Sequence, residues 1–185
     1  RVERNKPVLI GPIPEPPPGF VYVFGRKGFR PGHPRHDNLS AVDVKPFFIQ
    51  EREVSIQDYL YFLRAFENKW GSTEVRQFKP FHWGTMKPPL PAAEWGRPIR
   101  NISQRSAVAY IKWLSKTNKT PHRLPTEAEW QLAASGGYDD RDYPYGRRYR
   151  KEWSTTRGVV PTITGKQSRD ISPYGALDMG GNVKE

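Results

Sequence analysis

Apolar and polar positions along the chain predict short strands near the N-terminus. The run 20–24 is aromatic and β-branched throughout, which is typical of a strand. Residues 42–44 and 46–49 are again rich in apolar side chains and predict one further strand. The segment 25–38 is interrupted by several glycines and prolines, so we expect a loop there.

Three later segments show helical spacing. Apolar residues recur at this spacing after Ser55, at Ile56, Tyr59, Leu60, Leu63 and Phe66. Ser55 and Asp58 form a capping-box pattern, which predicts where this amphipathic helix begins. A second helix is expected over 103–114. A third is expected after Thr126, where Glu129 completes a second capping box.

The remaining chain shows no clean hydrophobic period. Residues 68–100 hold three tryptophans among glycines and prolines, and 136–185 predicts loops with one short strand at Val159, Val160 and Ile163. Six Trp, nine Tyr and nine Phe are too many for a disordered chain. We therefore expect an α+β domain that is rich in loops and held together by aromatic packing.

The chain is strongly basic. Its 185 residues include 30 Lys and Arg against 19 Asp and Glu, which gives a formal net charge of +11. The densest basic run, 147–151, reads Arg-Arg-Tyr-Arg-Lys and suits either phosphate groups or a solvated loop. Because no nucleic-acid-binding motif accompanies it, we expect the solvated loop and no nucleic-acid partner. No apolar run approaches the ~18 residues that a membrane span needs.

Cysteine is absent from the sequence. Its absence excludes disulfides, thiolate nucleophiles and cysteine-ligated metal sites within this chain. His33 and His36 are the other candidate metal ligands in the first half. They are separated by a helix-breaking proline and lack a third ligand nearby, so we do not expect them to bind a metal.

Three stretches in the second half carry specific motifs. Residues 102–115 form a capped-helix pattern ending in Lys-Trp-Leu-Ser, 123–130 read Arg-Leu-Pro-Thr-Glu-Ala-Glu-Trp, and 175–185 read Gly-Ala-Leu-Asp-Met-Gly-Gly-Asn-Val-Lys-Glu. In this order and spacing they resemble the formylglycine-generating enzyme (sulfatase-modifying factor) family, with looser matches from residue 18 onward. The resemblance implies a C-type-lectin-like fold with few regular elements.

The motif over 123–130 is expected to be structural rather than catalytic. Arg123 and Glu129 carry opposite charges, and their pairing would tie the incoming chain to the third helix. Trp130, one position later, is expected to fill the core.

The resemblance also implies a calcium ion. In relatives the equivalent turn surrounds the ion with a side-chain oxygen, two backbone carbonyls and a glutamate. Carried over residue by residue, these ligands are the Asp178 carboxylate, the Gly181 and Val183 carbonyls, and the Glu185 carboxylate. Calcium takes six to eight oxygen ligands, and glycines allow a chain to curl tightly around it. A metal-free glycine turn capped by Asp178 is the alternative.

Two departures from the family bear on activity. Lys184 stands where relatives have a tryptophan. The catalytic cysteines, which in relatives bind copper(I) and activate oxygen, lie in a C-terminal third that has no counterpart here, so we expect no copper. We therefore expect a proline-rich tether over 1–19 and a formylglycine-generating-enzyme-like domain over 20–185 that lacks this last third.

Three functions remain open. The first is a non-catalytic domain, a pseudoenzyme, that binds a protein or small ligand through irregular loops, as a module of a larger signalling protein or as a variable binding protein. The second is a formylglycine-generating-type cysteine oxidase whose catalytic cysteines lie outside this chain. The third is a basic nucleic-acid binder. Because a lectin-like fold closes by pairing its C-terminal strand with its N-terminal one, a second polypeptide that completes the fold is a further expected partner.

Overall fold

Four short strands pair as two antiparallel ribbons. The computed structural model describes residues 12–32, 40–83, 91–137, 141–155 and 160–184. The strands are β1 (Phe20–Val23), β2 (Arg26–Phe29), β3 (Val42–Val44) and β4 (Phe47–Gln50). β1 pairs with β4, so that Tyr22 lies opposite Phe48, and β2 pairs with β3. Each ribbon has only two strands of three or four residues, fewer and shorter than in a typical sheet, so both depend on packing against the rest of the chain.

The structure corrects three expectations about strands. β2 lies inside the segment predicted as a loop, because its pattern is mostly polar and Phe29 is its only buried residue. Residues 42–49 form two strands that belong to different ribbons. Pro46 separates these two strands, and the backbone of Gly25 packs against it so closely that a side chain at Gly25 would collide with it. Within the described segment 160–184 no strand forms at Val160 or Ile163, whose side chains are exposed, and Val159 lies outside the described residues.

The three predicted helices are present. They are α1 (Ile56–Trp70), α3 (Gln104–Asn118) and α4 (Glu127–Ser135), with a short α2 (Ser72–Val75) and 3₁₀ turns at Arg76–Phe78, Phe81–Trp83 and Ala92–Glu94. Both capping boxes are confirmed, and the Ser103 side chain also caps α3. No helix in the described ranges is both long and apolar enough to cross a bilayer.

An aromatic cluster forms the main core between α1 and α3. Phe62 of α1 is fully buried at its centre. Its ring lies 5.3 to 6.1 Å, centroid to centroid, from five other rings: Tyr59, Phe66, Phe78, Tyr110 and Trp113. Rings at these separations add edge-to-face attraction to the burial of large apolar areas. Residues far apart in sequence are thereby held around one side chain.

A second, smaller core joins the ribbons to α4. Its buried members are Val23, Phe29, Val44, Leu132 and Ala133. Trp130 is half-buried rather than enclosed, which corrects the expectation that it fills the core, because α4 turns Leu132 and Ala133 inward instead. The second core therefore depends mainly on aliphatic side chains, with Phe29 as its one buried aromatic ring among the described residues.

Replacing the central ring of the aromatic cluster should be costly. We expect Phe62→Ala to lower the free energy of unfolding by about 3–5 kcal/mol, because the change empties a buried site contacted by five rings. Urea denaturation measures this difference. The matched control is Tyr61→Ala, which removes a half-exposed ring from the adjacent position and should cost about 0.5 kcal/mol or less. Equal losses in the two variants would contradict the central role of Phe62.

Candidate functional site

A tight turn over residues 178–182, called here the glycine turn, is strongly constrained by its backbone conformation and its neighbours. Asp178 and Asn182 both adopt left-handed backbone conformations, with φ of 61° and 63°. Asp and Asn tolerate this region better than other side-chain-bearing residues. A side chain at Gly181 would collide with the Thr155 carbonyl oxygen, so glycine is required there. The Asp-Met-Gly-Gly-Asn order therefore matches the local geometry.

Asn182 ties the glycine turn to distant segments. Its Oδ1 accepts a hydrogen bond from the backbone N–H of Thr162 at 2.8 Å, and its Nδ2 donates to Glu53 Oε2 at 2.6 Å. Its own backbone N–H donates to the Thr155 carbonyl at 2.9 Å. The N–H of Leu177, just before the turn, donates to the Glu51 carbonyl beyond β4. Asn182 is thus a structural brace between three loops.

Two buried aspartates lie at the glycine turn. Asp170 is 1% exposed and Asp178 is 2% exposed. The N–H of Gly180 donates to both carboxylate oxygens of Asp170 at 3.1 Å, and the N–H of Gly165 donates to Asp178 Oδ2 at 2.5 Å. Burial raises the pKa of both carboxyl groups. The pKa of Asp170 rises to about 6, because burial and the charge of Asp178 outweigh the lowering by the hydrogen bond from the Gly180 N–H.

The donor set at the glycine turn fits a hard cation in part. Asp178 Oδ1 is buried without a hydrogen-bond partner among the described residues, which is costly for an ionised oxygen. The carbonyls of Gly181 and Val183 accept no hydrogen bond from other described residues. Glu185 lies outside the described residues. In the described part of the chain, no three His, Cys, Asp or Glu side chains converge, so any cation here would rely on carbonyl oxygens.

His33 and His36, which the sequence analysis did not expect to bind a metal, also lie outside the described residues.

A surface groove of about 480 Å³ runs along the outer face of the β1–β4 ribbon. Phe20, Phe48 and several prolines line it, together with the loop that follows α3. His122 lies edge-on to the Phe20 ring at 5.6 Å, and its Nδ1 donates to the Thr120 carbonyl at 2.6 Å. In the neutral ring Nε2 is then left to accept a hydrogen bond. The groove is therefore apolar with a few polar groups.

The Arg123–Glu129 pair forms one rim of this groove, and its predicted pairing is confirmed. Two nearly parallel hydrogen bonds join the side chains at 2.7 and 2.5 Å. The Arg123 guanidinium lowers the pKa of Glu129 to about 2, with the N–H and hydroxyl of Thr126 acting in the same direction. The pair thus ties the incoming chain to α4, and both residues line the groove.

The groove was not predicted from the sequence. Its walls come from three separated stretches, 17–20, 47–49 and 118–129. Taken alone, the sequence of each stretch indicates only a tether, a strand or the end of a helix. Only the pairing of β1 with β4, and the approach of the post-α3 loop, brings them together. Clustered prolines on both sides of the groove were the one available signal.

Together, the described features define a class: a loop-rich α+β domain with a C-type-lectin-like fold and a buried glycine turn. Residues 17–185 match the family model of the sulfatase-modifying factor enzyme 1-like domain, and the chain belongs to this family. The crystal structure of CarF superimposes with a TM-score of 0.58 at 21% identity, covering 90% of this chain and 78% of that one. The fold class predicted from the sequence is confirmed.

The sequence relatives differ in what their names say of activity. The serine/threonine-protein kinase pkn1 of Chlamydia pneumoniae is 39% identical over 48% of this chain and 13% of its own length. The formylglycine-generating enzyme of Thermomonospora curvata is 36% identical over 48% of this chain and 32% of its own. The inactive C-alpha-formylglycine-generating enzyme 2 of Mus musculus is 29% identical over 78% of this chain and 58% of its own. The chain thus spans less than two thirds of each of these relatives.

The buried aspartates should make stability depend on pH. The pKa of Asp170 in the folded protein, about 6, lies above the ordinary value near 4 that applies to the unfolded chain. The folded state therefore binds the proton more tightly, and without metal the free energy of unfolding should fall as pH rises from about 4 to about 6. Urea denaturation in EDTA across this range measures the slope.

Asp170→Asn should make this slope shallower, because the amide does not titrate, while Asp178, whose pKa burial also raises, keeps part of the slope. The control is Asp43→Asn on β3, an exposed aspartate whose replacement should leave the slope unchanged. An Asp170→Asn protein with the parent slope would contradict the assignment.

Proposed function

We propose that this domain is a non-catalytic binding module. The observation that carries the proposal is the apolar groove with exposed aromatic rings on the β1–β4 ribbon, and the matched residues 17–185 contain no cysteine. Copper(I) chemistry of the formylglycine-generating type needs soft thiolate ligands, and no side chain of this sequence supplies one. Lys184 also replaces the tryptophan that the family resemblance leads one to expect beside the calcium turn.

Two relatives support a module of this kind. The kinase pkn1 matches this chain over only 13% of its own length, which is how a module within a larger protein would match. The mouse relative is named as inactive, so the family fold also occurs where activity has been lost. We infer the same arrangement here: a lectin-like scaffold in a longer signalling protein or in a variable binding protein.

The binding face we propose is the β1–β4 ribbon with its groove. Within the described chain β1 pairs only with β4, so its outer edge has unused backbone groups. Phe24 and Phe48 are 41% and 39% exposed on this side, and Tyr22 contacts both rings. Exposed aromatic rings beside an open strand edge suit an extended polypeptide that adds to the sheet. We therefore propose such a polypeptide, which completes the sheet, as the partner.

Calcium at the glycine turn is part of the proposal. The ligands would be the Asp178 carboxylate, the Gly181 and Val183 carbonyls, and Glu185. The buried oxygen of Asp178 without a hydrogen-bond partner supports this, because a cation would compensate its charge. The ion would act structurally, holding the turn that Asn182 connects to the neighbouring loops.

The alternative is a formylglycine-generating-type cysteine oxidase whose catalytic cysteines lie outside this chain. The Thermomonospora relative, which carries the enzyme's name, favours it. The sequence of the complete polypeptide separates the two functions. A cysteine pair in a segment that continues this domain would overturn the non-catalytic proposal, and a complete protein without one would exclude the oxidase.

Removing calcium should destabilise the domain. A ligand that binds only the folded state at a hundredfold excess over its Kd contributes about 2.7 kcal/mol, so the melting temperature should fall by several degrees in EDTA and recover with added CaCl₂. Differential scanning calorimetry measures both transitions.

Asp178→Ala should mimic chelation and abolish the calcium-dependent shift, whereas the exposed Asp43→Ala should keep it. Terbium luminescence provides a second readout that does not depend on the stability of the variant. Equal melting temperatures in calcium and EDTA for the parent protein, without terbium binding, would contradict the site.

The groove should bind extended peptides. We expect selection from a displayed library of peptides about 12 residues long to yield binders whose affinity falls at least tenfold in Phe48→Ala, because this ring lines the groove. Isothermal titration calorimetry with one synthetic peptide measures the change. N-methylation of alternate peptide amides should also weaken binding if strand pairing is used.

The control for the groove is Phe81→Ala, which removes a ring that is 79% exposed outside the groove. It should leave peptide affinity unchanged. Selected peptides that bind Phe48→Ala as well as the parent, or a selection with no binder, would contradict the proposed face.

A further inference from the structure

The basic run that the sequence suggested was a solvated loop belongs to an ordered double turn. Tyr143 and Gly146 exchange backbone hydrogen bonds of 2.9 and 3.0 Å around the turn residues Pro144 and Tyr145. Farther on, the N–H of Trp153 donates to the Arg150 carbonyl at 2.9 Å and turns the chain again. The basic residues between these turns are therefore presented by a folded loop.

Four aromatic rings line up along this loop, and we call them the ring row. Its members are Tyr149, Tyr143, Tyr145 and Trp153. Successive centroids are 5.6, 5.4 and 5.4 Å apart, and the Tyr143 and Tyr145 rings are stacked with 9° between their planes. Tyr149, at one end, is 46% exposed. The row therefore ends in an accessible aromatic face.

Cationic side chains surround the ring row. Residues 141–155 contain five basic and two acidic residues. Arg148, Arg150 and Lys151 are exposed, and within the described chain none of them lies within ion-pair distance of a carboxylate. The guanidinium groups of Arg150 and Arg169 lie 5.8 and 5.9 Å from the Trp153 ring centre. Arg169 is distant in sequence, so the fold adds charge to the cluster.

We propose that this surface binds single-stranded nucleic acid. Arg148, Arg150 and Lys151 would contact successive phosphates, and a base would stack on the exposed ring of Tyr149. The carboxylates of an acidic peptide share the attraction to the cations, but Asp and Glu side chains carry no ring to stack on Tyr149, whereas every nucleotide supplies a base beside its phosphate. The row of rings beside Arg148, Arg150 and Lys151, which pair with no carboxylate of the described chain, is what favours a nucleic acid. The surface is separate from the groove, so the inference does not depend on the proposed function.

Fluorescence anisotropy with a labelled oligo(dT) of about 15 nucleotides tests the proposal. We expect binding at low salt. In a plot of log affinity against log KCl concentration, the slope should be about −0.7 for each phosphate contact, and therefore about −2 for three contacts. Tyr149→Ala should weaken binding about tenfold, and Tyr149→Phe, which keeps the ring, should not.

Charge-matched variants separate this surface from the overall positive charge. Combined replacement of Arg148, Arg150 and Lys151 by alanine should abolish binding. The same loss of three charges on α3, at the exposed Arg105, Lys112 and Lys116, should leave most of it. Thermal melts should confirm that both variants fold.

Three outcomes would overturn the proposal. One is the absence of oligonucleotide binding at low salt, and another is an equal loss in the two triple variants. The third is competition by polyglutamate with no effect of Tyr149→Ala, which would assign the surface to an acidic peptide. Phe48→Ala in the groove should leave oligonucleotide binding unchanged, so failure here and failure of the proposed function are distinguishable.

Discussion

The packing of aromatic rings around Phe62 is the constraint on which the rest of the structure depends. Few residues lie in strands, and the two ribbons bury little surface, so the helices must supply the main core. Within this core the Tyr59 hydroxyl donates to the Phe78 carbonyl at 2.8 Å, and burial raises the Tyr59 pKa to about 12. A core held by rings and neutral hydroxyls leaves the loops free to take irregular forms.

The glycine turn shows what such loops permit. It places two carboxylates, Asp170 and Asp178, where solvent does not reach, which a protein tolerates only when donors or cations compensate the charge. Backbone N–H groups compensate three of the four oxygens, and the fourth is why we propose a calcium ion. The same geometry that makes the turn a metal candidate also brings Thr155, Thr162 and Glu53 together through Asn182. Site and scaffold are therefore one hydrogen-bonded unit.

Two different surfaces then carry the proposed binding functions. The groove along the β1–β4 ribbon is apolar and has an open strand edge, whereas the ring row is flanked by cations. They differ in the chemistry that each would recognise, which suits the binding module proposed above. The net charge of +11 favours association with anionic partners in general, but only the ring row concentrates cations beside stackable rings.

Local patterns in the sequence were enough to predict the three long helices, both capping boxes, the first strand, the Arg123–Glu129 pair and the family resemblance. Each of these depends on residues within about six positions or on a contiguous motif.

The pattern did not predict β2, because a mostly polar strand is defined by its partner, and it did not assign β3 and β4 to different ribbons. The groove likewise joins residues that are distant in sequence. The two buried aspartates and the ring row are each close in sequence, but only irregular turns bring their side chains together. The sequence by itself determined the family, the helices and the lack of thiol ligands; the tertiary structure alone decided which side chains meet, because those contacts form only when separate segments pack around the aromatic core.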